Sequence, residues 1–172
     1  ITEISKIFNN DFFKAFISTD MKGVELAAAL KNVYAICAGL SDGLGYKSNT
    51  KAMLLTRAIT EIKNLFHVMK ANPNTLLGLS GVGDLIATSS SEKSRNYNFG
   101  RYIGQGKTVK QSLKKVNQVV EGYSTLETLY KKKNKLNINM PIVNAMHNII
   151  YLNKKPKECF LKFLAESGNI DS

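Results

Sequence analysis

The chain has 172 residues, of which 24 are Lys or Arg and 13 are Asp or Glu, so its formal net charge is +11, and 44% of its residues are apolar. A chain of this length and composition can bury enough surface to fold as one ordinary domain, which excludes disorder throughout. The uncharged run Asn32–Ser41 is far shorter than the roughly 18 apolar residues that a membrane span needs. We therefore expect no stable membrane insertion, while the charge alone is compatible with nucleic acid, anionic lipid or a small anion as a partner.

The sequence contains two cysteines, Cys37 and Cys159, with no CxxC motif and no histidine beside either of them. This pattern excludes a disulfide framework and predicts no zinc or other metal site. A reducing compartment, the cytoplasm, is the expected location. The first residue is Ile1 and not Met, which leads us to expect a chain cut or processed from a longer one.

The first 20 residues differ in pattern from the rest of the chain. Apolar residues at Ile4, Ile7 and Phe12 indicate the end of a helix, and Phe13–Thr19 has the aromatic and β-branched composition of a short strand. A single strand cannot pair with itself. Two interpretations therefore stay open: an edge strand of a sheet that lies outside this chain, or a segment that forms no strand here.

From Gly23 onward the apolar spacing is helical, with Gly and Asn-Pro breaks between the segments. The segment Asn72-Pro73-Asn74 should end the second helix, and Pro141 stands at a favoured first-turn position. The lysine-rich run Lys131–Lys135 is most simply the solvated end of a helix. The predicted helices are Val24–Leu40, Asn49–Lys70, Ser80–Thr88, Ser94–Ile103, Thr108–Lys115, Glu121–Lys133, Pro141–Leu152 and Pro156–Ala165.

Two polar residues, Lys31 and Asn32, interrupt the first of these helices, which is otherwise apolar nearly all round. Lys31 shares a helix face with Ala27, Ala35 and Ala38, whose small side chains leave space beside the ammonium. Partial loss of hydration favours the neutral form of a lysine and suits it to acid/base catalysis. Taken alone, the helix favours the alternative, a lysine whose stem lies over the alanines and whose ammonium reaches solvent or a carboxylate.

Two later polar segments are further candidates. In residues 78–88, a helix that begins near the glycines would place Asp84 and Thr88 one turn apart on one face, although the glycine spacing is not a dinucleotide-binding fingerprint. The triplet Ser94–Asn96 combines a hydroxyl, a guanidinium and an amide at a helix start, which can bind a phosphate. Taken alone, the Asp84 segment is a weak signal that an ordinary first helix turn also explains, and the triplet favours an ordinary serine cap beside an exposed arginine. Glu121 alone indicates only a strand end or the beginning of a helix.

Together and in this order, these segments resemble the C-terminal half of bacterial NAD(P)-dependent glycerol-3-phosphate dehydrogenase. The resemblance implies an all-α fold, the multi-helical C-terminal domain of the 6-phosphogluconate dehydrogenase C-terminal-like type, over residues 23–172. It assigns residues 1–22 to a remnant, the last helix and strand, of an N-terminal Rossmann domain that binds NAD. The matching segments are GVELAAALKNVYAICAGLSDGLG (Gly23–Gly45), NTKA (Asn49–Ala52), GLSGVGDLIAT (Gly78–Thr88), SRNYNFG (Ser94–Gly100) and VVEG (Val119–Gly122).

The resemblance also implies an activity. An oxidoreductase of this family interconverts dihydroxyacetone phosphate and sn-glycerol 3-phosphate by hydride transfer with NAD(P)H, for phospholipid synthesis, without a metal. Its partners would be these substrates and the Rossmann domain of the same chain, with no nucleic acid, and a homodimer is compatible with the sequence. Because most of the cofactor pocket would lie in the Rossmann domain, this chain alone should be inactive, and its sequence does not decide between NADH and NADPH.

The resemblance implies roles for individual residues. Lys31 would act as acid/base on the C2 oxygen, and Asp84 would be the catalytic carboxylate beside it. In the dipeptide Tyr97-Asn98 the sequence departs from the family, where basic residues are common. Substrate-binding positions would be Lys31, Asn32, Asp84, Thr88, Ser94, Arg95 and Asn96, and cofactor-binding positions would be Arg95, Val119 and Glu121.

An alternative from a different functional class is a basic helical module that binds nucleic acid. The net charge of +11 and the run Lys131–Lys135 favour it. The lysines are scattered along the chain, however, and no recognition motif accompanies them.

Overall fold

A computed structural model describes residues 1–166, and this part of the chain is helical with no strand. The all-α prediction is therefore confirmed. Between α4 and α5 the chain makes a π-helical turn, Leu79–Gly83. The α-helices are α1 (Thr2–Phe8), α2 (Met21–Gly43), α3 (Ser48–Met69), α4 (Pro73–Leu77), α5 (Asp84–Ser90), α6 (Arg95–Gly104), α7 (Val109–Val116), α8 (Glu121–Lys135), α9 (Pro141–Ile150) and α10 (Pro156–Glu166).

The helices predicted from Gly23 onward are all present, and their ends differ from the prediction by three residues or fewer except at α5, which begins at Asp84 and not at Ser80 because the π-helical turn precedes it. Their start signals act as expected. Thr108 caps α7 and forms a capping box with Gln111, and Pro141 occupies the first turn of α9. The segment at Pro73 does follow the end of α3, but it also starts the short helix α4, which the sequence did not predict.

The predicted strand Phe13–Thr19 is wrong for this chain, because these residues form no strand. An isolated strand leaves its backbone N–H and C=O groups without ladder partners, and the described residues offer this segment none. Its apolar side chains also stay in solvent: Phe13 is 57% exposed and Phe16 is 75% exposed. Of the two interpretations left open by the sequence, the one without a strand holds in this chain.

Helix α2 is the centre of the fold, and α3, α5, α6 and α8 pack around it. Its length and apolar composition would allow it to cross a membrane, but 67% of that apolar window is buried inside the protein. Burial on most faces is the pattern of a core helix. The polar residues that α2 carries toward its middle are therefore held in a packed framework.

Glycines bring α2 and α6 into backbone contact. A Cβ atom added at Gly39 would lie 1.9 Å from the carbonyl oxygen of Tyr97, and one added at Gly100 would lie 1.9 Å from that of Ile36. No side chain fits at such distances, so the absence of a Cβ is what permits this approach. As a result, the first turn of α6 lies directly against the middle of α2.

Candidate functional site

A cleft of about 430 Å³ opens where α2, α5, α6 and α8 meet. The middle of α2, the end of α5, the turn at residues 91–94 and the first residues of α6 and α8 contribute to it. Most of the site residues implied by the sequence come together here, although they are far apart along the chain. The lining residues are Lys31, Asn32, Ala87, Thr88, Ser91, Lys93, Ser94, Arg95, Asn96 and Glu121.

An ion pair between α2 and α5 borders this cleft. Lys31 Nζ donates a hydrogen bond to Asp84 Oδ2 at 2.5 Å, and the two side chains are 25% and 35% exposed. Thr88 Oγ1 donates to the other oxygen, Asp84 Oδ1, at 3.2 Å. The prediction that Asp84 and Thr88 share one helix face is thus confirmed. Lys31 is partly desolvated, as expected, and it also reaches a carboxylate, as the alternative interpretation held.

The π-helical turn positions the carboxylate of this pair. Gly83 N donates to Gly78 O at 3.3 Å, and Asp84 is the first residue of α5 after that turn. At Gly81 an added Cβ would lie 2.0 Å from the carbonyl oxygen of Leu76, so this glycine permits a tight turn. The glycine-rich segment therefore serves to aim Asp84 toward α2, a use that π-helical turns often have at functional sites.

A chain of amide hydrogen bonds joins α2, α6 and α8. Asn96 Nδ2 donates to Asn32 Oδ1 at 2.9 Å, and Asn96 Oδ1 accepts from Gly122 N at 2.9 Å. Asn32 Nδ2 in turn donates to Glu121 Oε2 at 3.1 Å. Both asparagines are 7% exposed. Because every bond uses a defined donor and acceptor, the network fixes the orientation of both amides.

The start of α6 offers groups that can hold an anion. Ser94 is its N-cap, and its Oγ accepts from Tyr97 N at 3.3 Å, so the ordinary capping role is present alongside a place in the cleft. Arg95 Nη2 lies 3.8 Å from Glu121 Oε1, and these side chains are 44% and 59% exposed. A guanidinium beside free helix N–H groups can bind a phosphate by charge-assisted hydrogen bonds.

Tyr97 anchors this first turn of α6 to the end of α2. Its hydroxyl donates to Asp42 Oδ2, which also pairs with Lys51 Nζ from α3 at 2.5 Å. Burial, with the neighbouring Asp42 carboxylate, raises the pKa of Tyr97 to about 12, so the hydroxyl remains a donor at neutral pH. The anchoring holds the adjacent Arg95 and Asn96 in a fixed direction relative to α2.

The residues that line the cleft and the site residues implied by the sequence differ at three positions. Asp84 is not itself in the lining, although its partner Lys31 is. Val119, implied as a cofactor-binding residue, is 72% exposed and stands outside the residues that line the cleft. Lys93, which the sequence reasoning missed, does line it and makes no ion pair with any carboxylate in residues 1–166. The signal that could have identified Lys93 is its position directly before the Ser94–Asn96 triplet.

Comparisons with known proteins identify relatives of this chain. The family model described as "NAD-dependent glycerol-3-phosphate dehydrogenase C-terminus" matches residues 20–161. Glycerol-3-phosphate dehydrogenase (NAD(P)+) of Citrifermentans bemidjiense is 42% identical over 164 residues, which are 95% of this chain and 49% of that protein. The enzyme of the same name from Latilactobacillus sakei is 47% identical over 148 residues, 86% of this chain and 44% of that protein.

A solved structure supports the same relationship. The crystal structure of glycerol-3-phosphate dehydrogenase from Coxiella burnetii superposes with a TM-score of 0.91 at 33% identity, and covers 95% of this chain and 50% of that one. The chain thus spans about half the length of the relatives that it matches. The chain belongs to the NAD-dependent glycerol-3-phosphate dehydrogenase family and corresponds to its C-terminal, all-helical part.

Proposed function

We propose that this chain is the substrate-binding and proton-transferring part of a glycerol-3-phosphate dehydrogenase that interconverts dihydroxyacetone phosphate and sn-glycerol 3-phosphate with NAD(P)H, for phospholipid synthesis in the cytoplasm. One observation carries the proposal. The Lys31–Asp84 pair borders the same cleft as the Ser94–Asn96 start of α6. A proton-transferring group beside an anion-binding group is what a phosphorylated alcohol or ketone requires.

In this proposal Lys31 Nζ moves the proton at the C2 oxygen. It donates that proton when the ketone is reduced and takes it back when the alcohol is oxidised. Asp84 holds the ammonium in place through the 2.5 Å bond, and Thr88 orients Asp84. Since the lysine is fixed to two helices, its ammonium is directed without a large reorganisation during the reaction.

The start of α6 would hold the phosphate of the substrate. Arg95 supplies a positive charge and Ser94 a hydroxyl. Asn96 supplies the second N–H of its side-chain amide, because only the first donates to Asn32. Arg95 would exchange its 3.8 Å contact with Glu121 for the phosphate. Holding the phosphate at a fixed distance from Lys31 positions C2 for reaction, and this positioning is where the rate advantage arises.

The rim of the cleft fits a nicotinamide dinucleotide that another domain holds. Arg95 and Glu121 in the cleft offer a cation and an acceptor and are 44% and 59% exposed. Val119, outside the lining but two residues before Glu121, offers an apolar surface that is 72% exposed, so a ligand can approach all three. When bound, the nicotinamide supplies or accepts the hydride at C2. The remaining contacts would come from a Rossmann domain.

We assign residues 1–22 to a remnant of that Rossmann domain and residues 23–172 to the substrate domain. The exposed apolar side chains of residues 1–22 support this assignment, because Phe12, Phe13 and Phe16 pack against nothing in the described core. They would be covered by the rest of the Rossmann domain. A homodimer of the complete protein is a further element of the proposal.

Replacing Lys31 by Ala in the full-length protein tests the function. Turnover of dihydroxyacetone phosphate, followed by oxidation of NADH or NADPH, should fall by orders of magnitude, because a positioned acid/base is worth about 10²–10⁴-fold. Lys114→Ala, at an exposed lysine on α7, is the matched control. Near-normal turnover in Lys31→Ala would refute the assignment, and measurable turnover by the 172-residue chain alone would refute the need for the Rossmann domain.

A further inference from the structure

A second groove, of about 980 Å³, lies between α8, α9 and α10 and shares no residue with the cleft. It includes the last turns of α8, where the sequence shows the lysine-rich run that the proposed function leaves unexplained. A concave space of this size lies at the upper end of the range for small-molecule sites. The groove is therefore a candidate binding site in its own right.

The charge along this groove is positive. Four lysines line it, Lys133, Lys154, Lys155 and Lys162, against one carboxylate, Glu158. Lys155 Nζ pairs with Glu158 Oε1 at 2.9 Å, which neutralises both at an exposed position. Lys133 and Lys154 pair with no carboxylate of residues 1–166, and these two lysines leave a cationic excess along the lining.

Lys133 is the unusual member of this group, because its side chain is only 8% exposed. Within residues 1–166 no carboxylate lies within 4.0 Å of its ammonium, although the buried Glu61 interacts with it over a longer distance. The ammonium of Lys133 lies over the ring of Tyr130, with Nζ 5.6 Å from the ring centroid. A buried charge without a direct counter-ion is costly, and an anion in the groove would supply that counter-ion.

Asparagine amides complete the lining. The five that face the groove are not hydrogen-bonded through their side chains to any other described residue, which leaves all of their N–H donors available. Two of them lie one turn apart on α9 and are half-buried. These asparagines are Asn134, Asn139, Asn144, Asn148 and Asn153.

We propose that the groove between α8, α9 and α10 binds a small phosphorylated anion that carries several negative charges. Lysines supply point charges that suit phosphate, and amide N–H groups supply the additional donors that its oxygens accept. Lys133 and Lys154, which have no direct carboxylate partner in residues 1–166, favour a ligand with more than one negative charge over a singly charged one. The concave shape and limited volume favour a small molecule over a nucleic-acid duplex, whose groove and backbone need an open surface. The inference does not depend on the proposed function of the cleft.

Inorganic tripolyphosphate is the probe for the test, titrated calorimetrically into the full-length protein at about 150 mM salt to screen exposed charges. Arg95→Ala serves as the background, because Arg95 could bind the same probe in the cleft. On this background, Lys133→Met and the double variant Asn144→Asp/Asn148→Asp should each weaken binding at least tenfold. Lys110→Met, at an exposed lysine on α7, should change it less than twofold.

Three results would overturn the proposal. Loss of all binding in Arg95→Ala would place the probe in the cleft. Equal losses in the groove variants and in Lys110→Met would indicate unspecific attraction to net charge, and displacement of the probe by duplex DNA at the same salt would indicate a nucleic-acid surface. Lys133→Met alters a buried position and could unfold the protein. In that case the double variant Asn144→Asp/Asn148→Asp, at half-buried positions, decides: unchanged binding of tripolyphosphate by this variant refutes binding in the groove.

Discussion

Replacing Glu61 by Gln should remove most of a pH dependence in the stability of the helical core. Glu61 lies on α3 and is 4% exposed. Its carboxylate accepts hydrogen bonds from the hydroxyl of Tyr34 at 3.1 Å and from Ile142 N, in the first turn of α9, at 2.5 Å. Burial raises the pKa of Glu61 to about 7, against the lowering effects of hydrogen bonds from Ile142, Tyr34 and Val143 and of the charge on Lys133.

The size of the effect follows from the two pKa values. With an ordinary value of 4.5 when unfolded and a value of about 7 when folded, Glu61 binds more protons in the folded state between these pH values. Its contribution to stability is therefore complete below pH 4.5 and is lost as the pH rises through 7. At about 1.36 kcal/mol for each tenfold change in proton affinity, the loss is about 3 kcal/mol.

The assay is urea unfolding of the 172-residue chain and of Glu61→Gln between about pH 4 and pH 8. The uncharged amide resembles the protonated carboxyl group, so the free energy of unfolding of the variant should gain about 3 kcal/mol relative to the unmodified chain over this range. Glu127→Gln is the control. The hydrogen bond from Lys131 lowers the pKa of Glu127, so that variant should show a dependence of the opposite sign.

A difference between Glu61→Gln and the unmodified chain that stays constant with pH would refute the reasoning. A difference that changes in favour of the unmodified chain at higher pH would show that the N–H donors at the start of α9 outweigh burial. The distinction matters for the groove variant Lys133→Met, because removing that cation should push the pKa of Glu61 further upward and lower stability most at alkaline pH.

Gly100→Ala should lower the melting temperature and the activity of the full-length protein, because the added carbon would lie 1.9 Å from a carbonyl oxygen of α2. The control Gly83→Ala, whose added carbon has its nearest neighbour at 3.6 Å, should leave the melting temperature unchanged. Lys93→Gln should raise KM for dihydroxyacetone phosphate several-fold and leave kcat nearly unchanged in steady-state kinetics, since it removes a charge from the cleft and not the proton-transferring group. Cys37 should resist a thiol reagent in the folded chain while Cys159 reacts, because Cys37 is buried and Cys159 is half-buried, and burial raises the pKa of the Cys37 thiol more. Equal labelling rates would contradict this.

Helices could be predicted from the sequence because local signals determine their ends. Apolar spacing, the Thr108 cap and the first-turn Pro141 each act within a few residues, and the structure agrees with all of them. The strand at Phe13–Thr19 failed for the opposite reason, since a strand is stable only with a partner that composition cannot reveal. The short helix at Pro73 was missed because Asn-Pro was interpreted only as an ending and not also as a start.

The candidate site was less accessible to sequence reasoning than the helices. Lys31 and Asp84 are separated by 53 positions, and Asn32 and Asn96 by 64, so no periodicity brings them together. Each segment taken alone favoured an ordinary structural role, and only the resemblance to a family indicated a common site. Even the resemblance omitted Lys93, whose place in the cleft follows from the turn before α6.

The glycines connect the packing of the core to the chemistry proposed for the cleft. A Cβ at Gly122 would lie 2.6 Å from the carbonyl oxygen of Asn32, and the backbone N–H of the same residue binds Asn96. The bond from Gly122 N to Asn96 thus depends on the approach of α8 to α2 without a side chain in between. A substitution that separates these helices would therefore move the start of α6, which we propose to bind phosphate, away from Lys31 without touching either. Because a displacement of about 1 Å can cost about 10²-fold in rate, such a variant should lose kcat before it loses its fold.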